Sequence, residues 1–315
     1  MNITANEVAV QLIVISPNNA GQRLDNFLFT VLKGVPKSRI YRIIRKGEVR
    51  INKGRIKPEY KLAEGDQVRI PPVRVAQRDT PIIPSQSFQD SLEASILYED
   101  DLLLVINKPS GLAVHGGSGI SLGLIEALRA TRSDKSYLEL VHRIDRDTSG
   151  CLVVAKKRSA LRFLQDEMRA RRILKVYYAL ASGRWPRGRR RIDAPLLASE
   201  QKSGEKIVRV DSEGKSSVTV FSVVQRFDNA TLMEATLETG RTHQIRVHAQ
   251  YVGCSLAGDV KYGSDDYNDD AKRLGLGRMF LHASRIQFFS PCGKKILIEA
   301  PIPPELSRYL QKLDH

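Results

Sequence analysis

A polar segment between two short apolar runs is the feature that most constrains the fold of this chain. The segment spans His142 to Gly150 and reads HRIDRDTSG. It follows the apolar run Leu138–Val141 and precedes the apolar run Cys151–Ala155. A polar stretch bounded in this way is typical of a loop between two buried strands. The sequence therefore predicts a strand–loop–strand unit that holds charged side chains on a rigid support.

Two arginines and two aspartates in this loop make it a candidate for chemistry. Asp145 stands between Arg143 and Arg146, and neighbouring positive charge favours the ionised form of a carboxylate. An ionised carboxylate on a rigidly held loop can act as a nucleophile. A solvated surface loop could carry the same charges without any chemical role. Charge alone does not distinguish Asp145 from Asp147.

The net charge restricts the class of partner. The 315 residues include 50 Lys or Arg and 35 Asp or Glu, which gives a formal net charge of +15. Such an excess indicates a polyanionic partner, either nucleic acid or an anionic membrane. No apolar run approaches the roughly 20 residues that cross a bilayer, and residues 1–20 do not resemble a signal peptide. We therefore expect a cytoplasmic protein without a membrane segment.

The three cysteines, Cys151, Cys254 and Cys292, lie far apart and form no CxxC pair. This spacing excludes a disulfide framework and a cysteine-based zinc site, and it fits a reducing compartment. His243 and His248 are five residues apart on a predicted helix, which places them about 140° apart around its axis. They cannot face one metal ion together, so we expect no metal site.

The positive charge is concentrated at the N-terminus. Residues 1–75 hold 14 Lys or Arg and 6 Asp or Glu, a net charge of +8. Hydrophobic periodicity predicts a strand at 8–16, helices at 23–32 and 36–46, and short strands at 49–52 and 67–70. The second helix has an isoleucine stripe, and its remaining surface carries five cations: Lys37, Arg39, Arg42, Arg45 and Lys46.

This helix–turn–helix–strand pattern, with the segment VRINKGRIKPEYKLAEGDQVRIP, resembles the S4 RNA-binding domain over residues 21–73. In that family the second helix and the following β-turn lie on structured RNA. The resemblance implies that residues 1–75 form a small α/β RNA-binding domain whose five helix cations contact phosphates, which gives affinity with little sequence readout. Polar, proline-containing residues 76–93 are predicted to be a linker with little regular structure.

Residues 94–315 have the pattern of a larger mixed domain. A helix is predicted at 159–170, a strand at 173–182, and alternating apolar residues at 208–224 and 232–237 predict antiparallel strands. The segment 240–248, GRTHQIRVH, is expected to start a helix, and the acidic residues 265–270 are expected to form a solvated loop. We predict an α+β fold with a mainly antiparallel mixed sheet.

Several common chemistries are absent from the sequence. There is no GxSxG serine-hydrolase motif, no dinucleotide-binding fingerprint and no GxxxxGK[ST] phosphate loop; the glycine-rich residues 115–119 favour a plain turn. What remains is a carboxylate among arginines in a basic protein. Because a carboxylate can act at the anomeric carbon of a sugar, these features indicate glycosidic-bond chemistry on a nucleic acid.

Six ordered motifs carry a resemblance that covers nearly the whole chain. They are Asn107-Lys108-Pro109-Ser110-Gly111 with Val114-His115, then HRIDRDTSG, Lys175-Val176-Tyr177, GRTHQIRVH, Gly258-Asp259 before Tyr262-Gly263, and Leu281-His282-Ala283. Their order and spacing are similar to those of the RluA family of pseudouridine synthases. Leucine is common in that family where Ile144 and Ile245 stand here. With an S4-like domain in front, the chain most resembles the C-type members, which modify 23S ribosomal RNA.

The resemblance implies a role for individual residues. Asp145 matches the catalytic aspartate, which leaves Asp147 as a turn or capping group. The other implied roles are filling the gap left by a flipped uridine (Arg143), stacking on the target base (Tyr177), pairing with the catalytic carboxylate (Arg246, with Arg241 as the alternative) and lining the base pocket (Leu281). The implied activity is uridine-to-pseudouridine isomerisation in 23S ribosomal RNA, by base flipping and breakage of the N1–C1′ bond.

Such an isomerisation involves no redox change and no leaving group, so we expect no metal or other cofactor. We also expect a monomer that binds RNA and neither DNA nor a membrane. Two other functions are consistent with part of the sequence. The basic N-terminal region alone would fit a non-catalytic ribosome-binding protein, and the carboxylate loop would fit a nucleic-acid glycosylase that releases free base.

Overall fold

The computed structural model describes residues 9–32, 34–73, 84–116, 122–132, 137–188, 190–200 and 206–313. The chain divides into two compact units, Met1–Ile82 and Ile83–His315. Each unit has an apolar core of its own. Within the described residues, no helix is both long and apolar enough to cross a bilayer.

The N-terminal unit is a small antiparallel sheet with two helices. Its elements are β1 (Gln11–Val14), α1 (Leu24–Val31), α2 (Lys37–Arg45), β2 (Arg50–Ile51), β3 (Gly54–Arg55) and β4 (Gln67–Ile70). The strands pair in the order β1-β4-β2-β3. Ile40, Ile43 and Ile44 are buried on one side of α2, as the isoleucine stripe predicts, and this leaves the basic side of the helix exposed.

The second unit contains the remaining elements in chain order. They are α3 (Gln86–Ala94), β5 (Ile96–Glu99), β6 (Leu103–Lys108), α4 (Leu124–Thr131), β7 (Glu139–Leu140), β8 (Ser149–Ala155), α5 (Arg158–Arg169), β9 (Leu174–Ser182), β10 (Arg191–Asp193), β11 (Leu196–Glu200), β12 (Lys206–Val210), β13 (Val218–Arg226), β14 (Ala230–Leu237), α6 (Gln244–Tyr251), α7 (Asp265–Arg273), β15 (Leu281–Phe289), β16 (Lys295–Glu299) and α8 (Pro304–Leu313).

One large mixed sheet organises this unit. Its strands follow the order β10-β13-β14-β9-β15-β8-β6-β5, with β16 paired to β15 and β7 paired to β8. Every pair is antiparallel except β15 with β8. β11 and β12 form a separate hairpin. The predicted α+β fold with a mainly antiparallel mixed sheet is therefore confirmed.

Two segments differ from the sequence-based predictions. The predicted irregular linker contains α3, whose N-cap Ser85 accepts a hydrogen bond from the Phe88 N–H and whose Leu92 is buried in the core of the second unit. The acidic residues expected in a solvated loop form α7 instead. Ser264 caps that helix, and Asp265 and Asp266 lie in its first turn, where negative charge stabilises the helix dipole.

The parallel contact between β8 and β15 depends on a glycine. Gly150 has φ +107°, and a Cβ at this position would lie 2.3 Å from the carbonyl oxygen of Ala283. Both the backbone conformation and the close approach exclude a larger residue. Gly150 is the last residue of the polar segment 142–150, which we call the charged loop, and it thus fixes the distance between the two strands.

Gly150→Ala should destabilise the protein by several kcal/mol, because it combines a strained φ with a backbone clash in a packed sheet. Gly183→Ala is the matched control: its φ is +65°, but the added Cβ would have open space around it. The control should cost only about 1–2 kcal/mol. Thermal unfolding of both variants tests this, and equal losses would contradict the proposed role of the close approach.

Candidate active site

The charged loop connects the paired strands β7 and β8, and several hydrogen bonds hold its backbone. The N–H of Thr148 donates to the carbonyl oxygen of Asp145 at 3.2 Å, which closes a turn. From the loop after β6, the N–H of Gly111 donates to the Arg146 carbonyl at 2.9 Å, and the Ser110 hydroxyl donates to the Asp147 carbonyl at 2.7 Å. Asp145 therefore stands on a fixed backbone.

A buried lysine adds a third attachment. The Nζ atom of Lys108 donates to the carbonyl oxygens of Pro109, Leu112 and Arg146, each at 2.8 Å. Its side chain is fully buried, and burial lowers the pKa of Lys108 to about 7. Three carbonyl acceptors match the three donors of an ammonium group and favour its charged form. Lys108 thus joins the loop after β6 to the charged loop.

His142 anchors the start of the charged loop. Its Nε2 atom accepts a hydrogen bond from the backbone N–H of Val153 at 3.2 Å. Burial, together with the positive charge of Lys175, lowers the pKa of His142 to about 3. The imidazole is therefore neutral and serves as an acceptor for strand β8.

Asp145 is the outermost of three charged side chains in contact, which are Asp145, Arg246 and Asp259. The Nη1 atom of Arg246, on α6, lies 3.3 Å from the Asp145 Oδ2 atom. The same guanidinium donates to both carboxylate oxygens of Asp259, from Nε at 2.7 Å and from Nη2 at 2.8 Å. Exposure increases from the innermost to the outermost of these groups: the side chains of Asp259, Arg246 and Asp145 are 0%, 8% and 25% exposed. The outermost carboxylate is thus the one available to a ligand.

Asp259 is well suited to hold Arg246. Its Oδ1 atom also accepts the backbone N–H groups of Lys261 and Tyr262, at 3.0 and 3.1 Å. The Tyr262 ring lies 4.9 Å from the guanidinium carbon of Arg246, which gives a cation–π contact. Burial alone would lower the pKa of Arg246, but the hydrogen bonds to Asp259 and the charges of Asp259 and Asp145 raise it above its usual value. A permanently charged and immobile guanidinium results.

The turn before α6 explains why Arg246, and not Arg241, faces Asp145. The helix predicted to start in the segment 240–248 begins at Gln244, after His243 in a left-handed conformation with φ 54°. The side-chain oxygen Oε1 of Gln244 accepts from the Thr239 hydroxyl at 2.7 Å and from the Arg241 backbone N–H at 3.0 Å. Arg241 is exposed, and its Nε atom donates to the Ser216 carbonyl at 3.3 Å.

A second polar link joins this turn to the β11–β12 hairpin. The Tyr262 hydroxyl accepts the Val208 N–H at 3.0 Å and lies 2.7 Å from His243 Nδ1. Because the bond from Val208 leaves the O–H proton of Tyr262 unused, the hydroxyl can donate to His243 when Nδ1 carries no proton. Burial lowers the pKa of His243, which is consistent with a neutral ring that accepts this bond.

Tyr177 and Leu281 lie on neighbouring strands of the large sheet. Tyr177 lies on β9, where its phenol ring is 6% exposed. Burial raises the pKa of Tyr177, and the negative charge of Asp145 raises it further, so the phenol stays neutral. Leu281 pairs with Ala179 across β15 and β9, and Ala179 is two residues after Tyr177 on the same face of the sheet. Tyr177 and Leu281 therefore lie on the same face of the sheet.

The remaining predicted site residues are exposed cations. Arg143 lies exposed in the charged loop. Lys37, Arg39, Arg42, Arg45 and Lys46 are exposed on α2 and at its C-terminus, in the N-terminal unit. A cleft of about 540 Å³ in that unit is lined by Lys46 and three further cations, Arg50, Lys53 and Arg69, with Glu48 as the acidic residue.

Sequence reasoning assigned no role to three residues that build the site. Asp259, Tyr262 and Lys108 all lie in quoted motifs, but each also binds a separate segment of the chain, and nothing local indicated those contacts. Among the described residues, no group of three or more His, Cys, Asp or Glu side chains is placed to bind a metal ion. The glycine-rich residues 117–119 lie outside the described part of the chain.

Comparison with known proteins identifies the family. Residues 102–251 match the RNA pseudouridylate synthase family, and residues 22–68 match the S4 domain. The chain is 55% identical to the protein called ribosomal large subunit pseudouridine synthase C in Pasteurella multocida, over 97% of this chain and 94% of that protein. The protein of the same name in Escherichia coli is also 55% identical, over 97% of both chains. The chain belongs to the RNA pseudouridylate synthase family.

Solved structures support the same assignment for this RNA pseudouridine synthase, an isomerase. Human RNA pseudouridylate synthase domain containing 4 superposes with a TM-score of 0.60 at 26% identity, over 72% of this chain and 96% of that one. Human RNA pseudouridylate synthase domain containing 1 gives a TM-score of 0.56 at 25% identity, over 70% and 87%. The predicted family and the order of the two domains are confirmed.

Asp259→Asn should destabilise this synthase by about 3–5 kcal/mol, because it leaves the buried Arg246 charge without its bidentate partner. Asp193→Asn is the matched control, since Asp193 also pairs with an arginine, Arg191, but both side chains are more than half exposed. The control should change stability by less than about 1 kcal/mol. Thermal unfolding compares the stabilities of the two variants. A loss of stability in Asp193→Asn as large as that in Asp259→Asn would contradict this account.

Proposed function

We propose that this synthase isomerises uridines of 23S ribosomal RNA in the large subunit to pseudouridine, as a cytoplasmic monomer. The observation that carries the mechanistic part is the partly exposed Asp145 carboxylate, which a buried arginine holds and whose charge acts on the Tyr177 phenol. Relatives of this chain that are named for the large ribosomal subunit support the choice of RNA. One chain carries both the site and a basic S4 unit, so no second copy is needed to complete either.

The reaction begins with extrusion of the target base. A uridine within a helix is unreachable, and its extrusion costs a few kcal/mol. Stacking of the uracil on Tyr177 returns about 1–3 kcal/mol, with Leu281 against the edge of the pocket. Arg143 is exposed on the charged loop and long enough to occupy the position that the base leaves. The RNA then keeps its stacking while the nucleotide is in the site.

Asp145 then acts on the extruded nucleotide. Its carboxylate attacks the ribose at C1′ or the pyrimidine ring, or removes a ribose proton in a glycal-type route. In every route the N1–C1′ bond breaks, the uracil rotates, a C5–C1′ bond forms, and the proton on C5 is lost while N1 gains one. Atoms and electrons balance without a redox step. The Arg246 guanidinium orients the carboxylate, which contributes through positioning.

The N-terminal unit supplies affinity for the RNA backbone. Five exposed cations of α2 and the basic cleft beside it face solvent in a domain that matches the S4 family. Lysine and arginine contacts to phosphates position an RNA without reading its sequence. The excess of positive charge in this unit is thus assigned to RNA, and neither DNA nor a membrane is proposed as a partner.

Incubation of deproteinised 23S ribosomal RNA with the protein tests the proposed reaction. We expect new carbodiimide-dependent primer-extension stops, which report pseudouridine, and no release of free uracil. Stops that are absent while the RNA is still bound would favour a non-catalytic binding protein. Release of free uracil would favour a glycosylase. Either result would contradict the proposed isomerisation.

Arg39→Ala with Arg42→Ala should weaken RNA binding and flatten its salt dependence. Each lost phosphate contact reduces the slope of log K against log salt concentration by about 0.7–0.9. The control replaces Lys272 and Arg273 by alanine; both are exposed at the end of α7. Filter binding at several salt concentrations measures the slopes. A slope that is the same for both double variants would remove α2 from the RNA-binding surface.

A further inference from the structure

A half-buried lysine lies on the same face of β9 as Tyr177. Lys175 precedes Tyr177 by two residues, so their side chains project from the same side of the strand, about 7 Å apart along it. In the sheet, Lys175 pairs with Ile286 of β15, a core residue. The ammonium group therefore belongs to the wall that carries the proposed base-stacking ring, although the proposed function gives it no role.

Lys175 differs from the other buried cations near the site because it has no partner among the described residues. Lys108 donates to three carbonyl groups, and Arg246 pairs with two carboxylates. Burial alone accounts for the lowered pKa of Lys175; no carboxylate charge acts to raise it. A cation that is desolvated without compensation destabilises a folded protein. A ligand that supplies the missing anion would remove this cost.

The surroundings of Lys175 leave its ammonium accessible from one side. A Cβ placed on Gly240 would lie 3.3 Å from the Lys175 Nζ atom, and Gly240 itself is exposed. On another side, the positive charge of Lys175 contributes to the low pKa of His142, whose neutral ring offers no negative charge. The ammonium thus lies next to an exposed residue that has no side chain to cover it.

We propose that the Lys175 ammonium binds a backbone phosphate of the RNA next to the uridine that stacks on Tyr177. This rests on the proposed function. Uracil is neutral, so the base itself cannot supply the missing anion, whereas each nucleotide carries a phosphate outside its base. Lys175 would fix the flipped nucleotide by its backbone while Tyr177 holds the base. It is a binding residue and not a participant in bond breakage.

Lys175→Met tests the proposal, because methionine keeps the length of the side chain and removes its charge. We expect RNA binding to weaken about 10- to 100-fold, as for loss of a charged hydrogen bond, and the salt slope to fall by about 0.7–0.9. We also expect the free protein to melt at an equal or higher temperature, since an uncompensated charge has been removed. Lys157→Met, at an exposed lysine before α5, should change none of these.

A scan with single methylphosphonates identifies the contact. The probe is a synthetic stem–loop RNA that spans a uridine mapped by the primer-extension assay. The wild-type protein should lose affinity when one particular phosphate beside that uridine is neutralised, and Lys175→Met should be indifferent to the same change. The proposal would be overturned if neutralisation of each phosphate weakened RNA binding by the same factor in Lys175→Met as in the wild type. It would also be overturned if Lys175→Met melted at a lower temperature while its salt slope was unchanged.

The salt slope on unmodified 23S RNA separates this proposal from the proposed function. If the wild-type protein forms no pseudouridine, the isomerase assignment fails. The slope difference between Lys175→Met and Lys157→Met still shows whether the lysine contacts a phosphate.

Discussion

One buried guanidinium, that of Arg246, holds the candidate active site together. It is bound on one side by the fully buried Asp259 and on the other by the partly exposed Asp145. A buried arginine with one carboxylate fixed against it is an immobile positive charge, and that charge holds Asp145 in place. Removal of either inner member leaves an uncompensated buried charge, which is more costly than the pair is stabilising.

The sheet and its loops serve this arrangement by limiting movement of Asp145. The charged loop connects two paired strands, and its carbonyl groups accept hydrogen bonds from Lys108, Ser110 and Gly111. Gly150 then brings β8 against β15, which carries Leu281. A carboxylate fixed from both sides loses little conformational entropy when an RNA nucleotide enters, so more of the binding energy is available for catalysis.

The sequence was most informative where the periodicity was regular and the charge was concentrated. The isoleucine stripe of α2 and the alternation in β13 and β14 predicted those elements. Charge alone did not distinguish Asp145 from Asp147, and the choice required the family resemblance. In the structure Asp145 contacts Arg246, whereas the carboxylate of Asp147 contacts its neighbour Arg146 in an exposed pair.

The errors and omissions have physical reasons. Acidic residues at 265–270 suggested a solvated loop, but acidic side chains in a first turn stabilise a helix, and Ser264 supplies the cap. The contact of Arg246 with Asp145 spans 101 residues, and such long-range contacts leave no periodic signal. Asp259 and Lys108 lie in motifs that carry the family resemblance, but the groups that they fix, the Arg246 guanidinium and the Arg146 carbonyl, lie 13 and 38 residues away in the chain.

The central claim is that the Asp145 carboxylate carries out the isomerisation. Single-turnover release of tritium from RNA labelled at C5 of uridine measures this directly, because the C5–H bond is lost when the C5–C1′ bond forms. Asp145→Asn should release no tritium while it binds RNA with nearly unchanged affinity, and Asp147→Asn should release tritium at close to the wild-type rate. Release by Asp145→Asn at the wild-type rate would contradict the account.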